Sequence, residues 1–225
     1  MILYILIIPE VLFAALLLFA EFKRNYRGAL LFKTLSSLVF VAAGFCALRT
    51  RTADLFTRLI LTGLVLGAVG DFFLSLRHVM DDRDVFFYIG GSIFFLGHLA
   101  YLAALSGVLL KLGVLRFAIP ASLLAAAVLI VLLLKKIRAD RRFSFLCAGY
   151  MCAVTSVAVF GIFRFFAAPY SLGNLLFMIG GIFFASSDTI LVENMWNERQ
   201  SFRKGCTLII LYYAAQFMIA CSLSL

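Results

Sequence analysis

Two aspartates, Asp71 and Asp188, lie within long apolar runs of this sequence. If those runs cross a membrane, each ionised carboxylate costs at least roughly 2.5–3.5 kcal/mol near a helix centre, so each needs a reason to be present. Two nearby carboxylates in a poorly solvated pocket tend to differ in charge, one holding its proton and the other ionised. Such a pair supplies a general acid and a general base from one residue type. The first hypothesis is therefore acid/base catalysis by these two aspartates.

Three other ionisable side chains, Glu10, Lys33 and His98, also fall within apolar runs. An ion pair between Lys33 and one aspartate, holding two helices together, is the structural alternative to catalysis. That alternative accounts for one aspartate but not for both, because two carboxylates and one lysine leave a surplus negative charge. His98 fits a helix-packing residue as well as a functional one, and Glu10 is expected to be structural or to line a cavity.

The elements that must position these residues are predicted to be membrane-spanning helices. Of the 225 residues, 64% are hydrophobic and 14% are charged, whereas soluble domains have roughly 45–50% and about 25%. A spanning helix needs about 20 apolar residues. The sequence contains such runs at 2–20, 29–48, 58–76, 85–106, 116–134, 143–163, 171–191 and 205–225. We predict an all-α integral membrane bundle of eight transmembrane helices, forming a single domain over residues 1–225.

The connections between these runs predict an orientation. The net charge of +9 comes from short basic clusters between apolar runs, a pattern that excludes nucleic-acid binding. By the positive-inside rule, the odd-numbered connections are expected to be cytoplasmic and both termini outside, at the inner membrane if the source is bacterial. The odd-numbered connections carry Lys23, Arg24, Arg27, Arg77, Arg83, Lys135, Lys136, Arg138, Arg141, Arg142, Arg199, Arg203 and Lys204, and the even-numbered ones carry Arg49, Arg51, Arg58, Lys111, Arg116 and Arg164.

Two pairs of segments share a pattern across the two halves of the sequence. The segments GDFFL at 70–74 and SDTIL at 187–191 each contain a small residue, an aspartate, two others and a leucine. FFLGH at 94–98 and YYAAQ at 212–216 each contain two aromatics, two others and a side chain that can hydrogen-bond. The histidine follows the first aspartate by 27 residues, and the glutamine follows the second by 28.

This pattern predicts a parallel repeat of four plus four helices, with both aspartates facing one cavity. The interval from Lys33 to Asp71, counted back from Asp188, leads to Tyr150, which would take the place of the lysine in the second half. Chance similarity in a Phe-, Leu- and Gly-rich chain is the alternative explanation.

Several common catalytic motifs are absent from the sequence. It contains no G-x-S-x-G, no H-E-x-x-H and no Gly-rich phosphate loop. Its two histidines, His78 and His98, cannot form a three-histidine zinc site, and His78 is expected to be solvated in an acidic connection. Ser92 and His98 are a weak candidate for a serine hydrolase pair. We interpret the five cysteines as reduced residues that pack between helices. No metal or organic cofactor is expected.

Taken together and in order, these motifs resemble those of one family. They are Lys33-Thr34-Leu35, Gly70-Asp71-x-x-Leu74, Gly97-His98-x-x-Tyr101, Tyr150, Ser187-Asp188 and Tyr212-Tyr213-x-x-Gln216. Over nearly its whole length the chain is similar to the YhhN family of multi-pass membrane proteins, whose characterised activity is lysoplasmalogenase. Many members have proline where this sequence has Thr34, so the resemblance does not extend to a kink in the second helix.

The resemblance implies hydrolysis of the vinyl ether bond of lysoplasmenyl-ethanolamine or lysoplasmenyl-choline, releasing a fatty aldehyde and the glycerophospho-base. The lysophospholipid would come from the membrane lipid. Asp71 and Asp188 are the expected catalytic residues, in either order of acid and base, as paired carboxylates serve the oxocarbenium transition state of glycosidases. The expected substrate-binding residues are Lys33, His98, Tyr101, Tyr150, Ser187, Tyr212, Tyr213 and Gln216. Lys33 would tune the acids or meet the phosphate.

Two other functions fit the same residues. One is hydrolysis of a different lysolipid by the same acid pair. The other is a small transporter or proton-coupled carrier, because intramembrane acids and internal repeats are also features of transporters. A transporter should have helices broken by Gly or Pro at matching positions of both halves. The three prolines, Pro9, Pro120 and Pro169, lie near the ends of spans, which counts against transport.

Overall fold

The described part of the computed structural model comprises residues 2–49, 53–80, 83–136, 141–195 and 201–225. These residues form eight α-helices and no strands. The helices are α1 (Ile2–Phe22), α2 (Tyr26–Cys46), α3 (Leu55–Leu76), α4 (Arg83–Lys111), α5 (Leu115–Leu134), α6 (Arg141–Ala167), α7 (Leu172–Met195) and α8 (Phe202–Cys221). A 3-10 turn at Ala47–Arg49 follows α2. Each helix is long and apolar enough to cross a membrane, which confirms the predicted eight-helix membrane bundle.

The helices begin and end somewhat differently from the apolar runs. Span four was expected to end at residue 106 but continues to Lys111, and span seven was expected to end at 191 but continues to Met195. A helix need not stop where the hydrocarbon stops, because its backbone hydrogen bonds are made within the helix and continue in water. Arg51, Arg138 and Arg199, which contribute to the predicted charge asymmetry, lie outside the described residues.

Short polar side chains start several of the helices. The Asn25 side chain accepts a hydrogen bond from the backbone N–H of Gly28 at the start of α2. Asp54 accepts one from the N–H of Thr57 at the start of α3. Such caps satisfy backbone donors that have no partner within the helix. Gly113, with φ of +72°, makes the tight connection between α4 and α5 in a conformation that favours glycine.

The connections that follow α1, α3, α5 and α7 lie together at one end of the bundle, which we call the basic end. The ring of Tyr26, at the start of α2, stacks on His78 after α3, with centroids 5.6 Å apart. Glu193, near the end of α7, forms ion pairs with Lys136 after α5 at 3.8 Å and with Lys204 in α8 at 2.9 Å. These contacts hold the helix ends together around the region where the two aspartates lie.

Glycines allow α3 to approach its neighbours at the level of the site. A Cβ atom at Gly63 would lie 2.2 Å from the ring of Tyr101 in α4, and one at Gly67 would lie 2.7 Å from the Nε2 atom of Gln216 in α8. No side chain fits at either position without displacing the tyrosine or the glutamine. The close packing of α3 against α4 and α8 therefore depends on these two residues.

The helix neighbours of the two halves correspond. In each half, successive helices pack together: α1 on α2, α2 on α3 and α3 on α4, and likewise from α5 to α8. Between the halves, α4 packs on α6 and α2 on α8, while α1 contacts α8 and α4 contacts α5. If each helix is exchanged for the one four places away in the chain, the contact of α4 with α6 becomes that of α8 with α2. The contact of α1 with α8 likewise becomes that of α5 with α4. Among the described residues, only minor contacts of α3 with α8 and α5 with α7 lack an equal counterpart. The packing agrees with the predicted four-plus-four repeat.

Candidate active site

A cavity of about 680 Å³ extends from the basic end to both aspartates. Every helix except α5 contributes to its wall, and most of that wall is apolar. The polar residues at its inner end are Lys33, Asp71, Tyr150, Ser187, Asp188, Tyr212 and Tyr213. Three residues near the basic end, Glu21, Arg77 and Asn194, form part of the rim. The seven at the inner end, out of the ten residues expected to bind or transform a substrate, thus lie around one cavity.

Asp71, on α3, is surrounded by hydrogen-bond donors. Its side chain is 2% exposed, and its Oδ1 atom lies 3.2 Å from the Nζ atom of Lys33 on α2. Its Oδ2 atom accepts hydrogen bonds from the hydroxyls of Ser37 at 2.6 Å and Tyr212 at 2.7 Å. A cation and two hydroxyl donors directed at one carboxylate stabilise its ionised form. The ion pair that the sequence offered as an alternative to catalysis is therefore present at Asp71.

Asp188, on α7, has a different environment. It is buried, and the phenol of Tyr150 on α6 donates a hydrogen bond to its Oδ2 atom. No Lys or Arg of the described residues forms an ion pair with it. An ionised carboxylate buried without a cation is costly, so a proton on Asp188 is the less costly state. A proton on Asp188 removes the surplus negative charge anticipated from two acids and one lysine.

A chain of hydrogen bonds orients the proton of Tyr212. The hydroxyl of Tyr101 donates to the Oε1 atom of Gln216 at 2.9 Å, and the Nε2 atom of Gln216 donates to the hydroxyl oxygen of Tyr212 at 3.3 Å. Because that oxygen accepts from the amide, its own proton is free to point at Asp71. Tyr101 and Gln216 are each 1% exposed and lie behind the cavity wall, not on it. Their position makes them supports of Tyr212.

Ser37 and Tyr213 fix α2 against α8 beside Lys33. The hydroxyl of Tyr213 donates to the backbone carbonyl of Lys33 at 3.1 Å, and the Ser37 hydroxyl lies 2.9 Å from the same carbonyl. Sequence reasoning missed Ser37. The available signal was its spacing: it follows Lys33 by four residues, so both lie on one face of α2.

His98 lies deeper than the cavity wall, in an aromatic environment. It is 2% exposed, and its Nδ1 atom lies 2.9 Å from the backbone carbonyl of Phe94. Because a carbonyl only accepts, Nδ1 carries the proton of that hydrogen bond. The ring packs edge-on against Phe184, with centroids 4.7 Å apart, and against Tyr150 at 5.5 Å. Among the described residues, its buried Nε2 atom has no hydrogen-bond partner. These contacts place His98 where it supports the ring of Tyr150.

The remaining candidates lie at or outside the edge of the site. The hydroxyl of Ser187, on the cavity wall, donates to the backbone carbonyl of Leu208 at 3.0 Å and joins α7 to α8. Ser92 is an exposed wall residue, and no hydrogen bond of the described residues joins it to His98. Glu10 is buried outside the cavity wall, where it accepts a hydrogen bond from Ser36 at 3.1 Å.

The sequence of this chain matches that of a known protein family. The family model that matches the chain is that of the YhhN family, over residues 28–223. The chain belongs to the YhhN family. YhhN is the family of lysoplasmalogenase-like proteins, and the chain is accordingly a lysoplasmalogenase-like integral membrane protein that crosses the membrane several times. No curated protein and no solved structure matches it.

The matched region contains both halves of the site in this YhhN-family chain. Lys33 and Asp71 are 38 residues apart and in contact, and Tyr150 and Asp188 are also 38 residues apart and in contact. The repeat predicted from the sequence thus places a cationic partner on one acid and a neutral phenol on the other. Chemically, such a wall is suited to a fixed negative charge at Asp71 and a proton on Asp188.

Proposed function

We propose that this protein is a membrane-embedded hydrolase of the lysoplasmalogenase type. It would cleave the vinyl ether bond of lysoplasmenyl-ethanolamine or -choline to a fatty aldehyde and the glycerophospho-base. The observation that carries the proposal is the pair of unequal buried carboxylates, Asp71 and Asp188, on the wall of one cavity. Membership of a family of lysoplasmalogenase-like proteins supports the substrate class.

Asp188 is the general acid of the proposed reaction. Its carboxyl proton passes to the β-carbon of the vinyl ether, and the adjacent carbon becomes an oxocarbenium ion. Water then adds to that carbon, and the Asp188 carboxylate accepts one of the water protons, which restores the acid. The hemiacetal breaks its bond to the glycerol oxygen, and its hydroxyl proton moves to that oxygen. The products are the aldehyde and the free alcohol, with one water consumed.

Asp71 is the fixed charge of the proposed reaction. It remains ionised throughout because Lys33, Ser37 and Tyr212 all donate to it. A carboxylate already held in place needs no reorganisation when positive charge develops on the substrate, so it stabilises the oxocarbenium ion effectively. The tyrosine and serine also keep the carboxylate plane from turning away from the cavity.

The cavity has the size and lining expected for a lipid with one chain. Its volume of about 680 Å³ lies within the range of about 300–1,000 Å³ that is usual for small-molecule sites. Leu96 on α4 and Leu146 on α6 belong to its wall and are 52% and 56% exposed. In the proposed complex the hydrocarbon chain lies along this apolar part of the wall.

The inner end of the cavity favours an enzyme over a carrier. Beyond the two aspartates, Tyr101, His98 and Gln216 fill the space between the helices and are at most 2% exposed. Each described helix is also continuous through its span, whereas carriers commonly bind their cargo where helices are broken. The cavity thus has the form of a pocket that opens toward the basic end. By the positive-inside rule we propose that this end faces the cytoplasm.

Aldehyde release by the detergent-purified protein tests the proposal. Lysoplasmenyl-ethanolamine would be compared with the corresponding 1-acyl lysolipid, using the wild type, Asp188→Asn and Glu10→Gln. Glu10→Gln is a matched control because it removes a buried membrane carboxyl that lies outside the cavity wall. In D2O, the aldehyde should carry one deuterium on the carbon next to its carbonyl, since that carbon receives the acid proton.

We expect aldehyde from the wild type and Glu10→Gln, none from Asp188→Asn, and no fatty acid from the acyl lipid. If fatty acid is released from the acyl lipid and the release depends on Asp188, the substrate is another lysolipid and not the vinyl ether lipid. Folded wild-type protein that acts on neither lipid would contradict the proposal.

A further inference from the structure

The rim of the cavity carries two opposite charges that the proposed chemistry does not use. Arg77 follows α3 and Glu21 lies near the end of α1, and both belong to the cavity wall at the basic end. Among the described residues no ion pair joins either of them to another side chain. The cavity therefore has a separated cation and anion at its mouth and a reactive acid pair at its inner end.

Arg77 is held in position by contacts that leave most of its donors available. Its guanidinium lies over the ring of Phe87, 5.4 Å from the centroid, and its Nε atom donates to His78 at 3.0 Å. The two Nη groups remain for an anion, in the fork geometry that suits a phosphate. Burial lowers the pKa of Arg77, and the charge of the nearby Glu21 offsets part of that effect. An anion bound at the mouth would likewise compensate the desolvated guanidinium.

Distances along the lipid and along α3 agree. Six residues separate Asp71 from Arg77, a rise of about 9 Å at 1.5 Å per residue. In the substrate, six bonds separate the vinyl ether carbon that becomes the cation from the phosphorus atom, roughly 7–8 Å of extended chain at about 1.2 Å per bond. With the vinyl ether beside Asp71, the phosphate reaches the level of Arg77.

The same comparison of lengths shows that Lys33 lies too far from the level of Arg77 to bind the phosphate. Its Nζ atom lies 3.2 Å from Asp71, which is the level where the vinyl ether must react. A phosphate at Lys33 would carry the ether out of reach of Asp188. Sequence reasoning offered Lys33 as the phosphate ligand, and the geometry favours Arg77 for that role.

We propose that the rim binds the zwitterionic headgroup of the lysolipid, with Arg77 on the phosphodiester and Glu21 on the ethanolamine or choline ammonium. This inference rests on the proposed function and assigns its headgroup site. The hydrocarbon chain lies along the α4 and α6 side of the wall, so headgroup and chain are held at different parts of the cavity. Together they would set the vinyl ether beside the acid pair.

Turnover of three alkenyl lipids tests the headgroup site. The lipids are lysoplasmenyl-ethanolamine, the same lipid with a bare phosphate, and alkenylglycerol without phosphate, tested with Arg77→Gln and Glu21→Gln. Arg27→Gln is the matched control, because Arg27 is exposed at the basic end and lies outside the cavity wall.

Arg77→Gln should lower kcat/KM for the two phospholipids at least about tenfold more than for alkenylglycerol, because only they present an anion to it. Glu21→Gln should reduce the preference for ethanolamine over bare phosphate by about threefold or more, as the loss of one partly solvated charge pair would. In Arg27→Gln both ratios should stay within a factor of about two. Equal losses on all three lipids in Arg77→Gln would show that Arg77 only holds the structure, and would overturn the proposal.

A binding measurement separates this proposal from the proposed function. A saturated 1-alkyl lysophosphocholine, which has no vinyl ether to cleave, would be titrated into wild type and Arg77→Gln by calorimetry. If the alkyl lipid binds in a way that depends on Arg77 but the alkenyl lipid gives no aldehyde, the headgroup site is supported and ether hydrolysis is contradicted. If the alkenyl lipid gives aldehyde and binding does not depend on Arg77, ether hydrolysis is supported and the headgroup site is contradicted. Inorganic phosphate and glycerophosphoethanolamine would also be compared as competitors of the lipid. If the two displace it equally well, the site binds simple anions only and the headgroup assignment is overturned.

Discussion

The two halves of the bundle present the same carboxylate in two environments. Asp71 in the first half accepts from Lys33, Ser37 and Tyr212, whereas Asp188 in the second half accepts from Tyr150. Both acids lie on equivalent helices, α3 and α7, and their partners on the equivalent helices α2 and α6 are both 38 residues earlier. The helix neighbours and the spacing of these contacts thus correspond in the two halves, and the side chains differ.

In the proposed mechanism, this difference lets a repeated fold supply an acid and an anion from one residue type. A lysine at the α2 position holds its partner carboxylate ionised, and a tyrosine at the α6 position can satisfy a neutral carboxyl without adding charge. Opposite charge states in one cavity are what enol ether protonation requires. The first three predictions below change one acid or its partner at a time, and the fourth changes the cavity that both acids face.

The largest expected effect comes from removing the proton donor. Asp188→Asn should lower kcat for aldehyde release by about a thousandfold or more, since general acid catalysis contributes roughly a hundred- to ten-thousandfold. The variant loses no ion pair, so its melting temperature should stay near that of the wild type. Single-turnover assays and thermal unfolding in detergent measure the two effects. Substantial activity in a folded variant would exclude Asp188 from the proton transfer.

Asp71→Asn should affect stability as well as activity. It leaves Lys33 without its counter-charge in a site where the lysine side chain is 25% exposed, and breaking such a pair costs about 3 kcal/mol. Activity should also fall because the fixed charge is gone. Adding Lys33→Met should restore the melting temperature but not the activity. If the single variant were as stable as Asp188→Asn, the contrast between the two acids would be wrong.

The tyrosine partners should differ in importance. Tyr150→Phe removes the hydrogen-bond donor of Asp188, and Tyr212→Phe removes one of three donors to Asp71. We expect kcat to fall about thirtyfold in the first variant and about threefold in the second, because the remaining donors still hold Asp71. The comparison of kcat for the two purified variants is the measurement. A larger loss at Tyr212 would reverse the assigned roles.

The smallest expected effect on kcat comes from filling the cavity without touching either acid. Gly91 lies on the cavity wall, and a Cβ atom there would meet nothing within 4 Å. Gly91→Leu should therefore fold and raise KM by about tenfold through lost space for the lipid. Gly107→Leu on the same helix is the control, since Gly107 is equally open and lies outside the wall. Equal KM values in the two variants would mean that the lipid does not occupy this cavity.

Much of the fold follows from the sequence because it depends on one-dimensional features. Apolar run length and charged boundaries predict the helices, and matching intervals predict that Tyr150 stands to Asp188 as Lys33 stands to Asp71. The structure bears out both contacts.

Depth within the bundle was less predictable. His98, Tyr101 and Gln216 were expected to line the cavity, but they lie behind its wall. Spacing along a helix shows which residues share a face, but not which part of that face meets a cavity and which meets a neighbouring helix. Ser37 and Arg77 were missed for a related reason. The spacing of Ser37 from Lys33 shows a shared face of α2, but neither a serine nor a helix-end arginine points to a site by its residue type alone.

The central claim is that Asp188 carries a proton while Asp71 is ionised, and infrared spectroscopy tests it most directly. The C=O stretch of a protonated carboxyl group would be recorded for the purified protein in the Glu10→Gln background, which removes the other buried carboxyl of the membrane region. The band should disappear on adding Asp188→Asn and remain on adding Asp71→Asn. A band that persists without Asp188 and disappears without Asp71 would contradict the account.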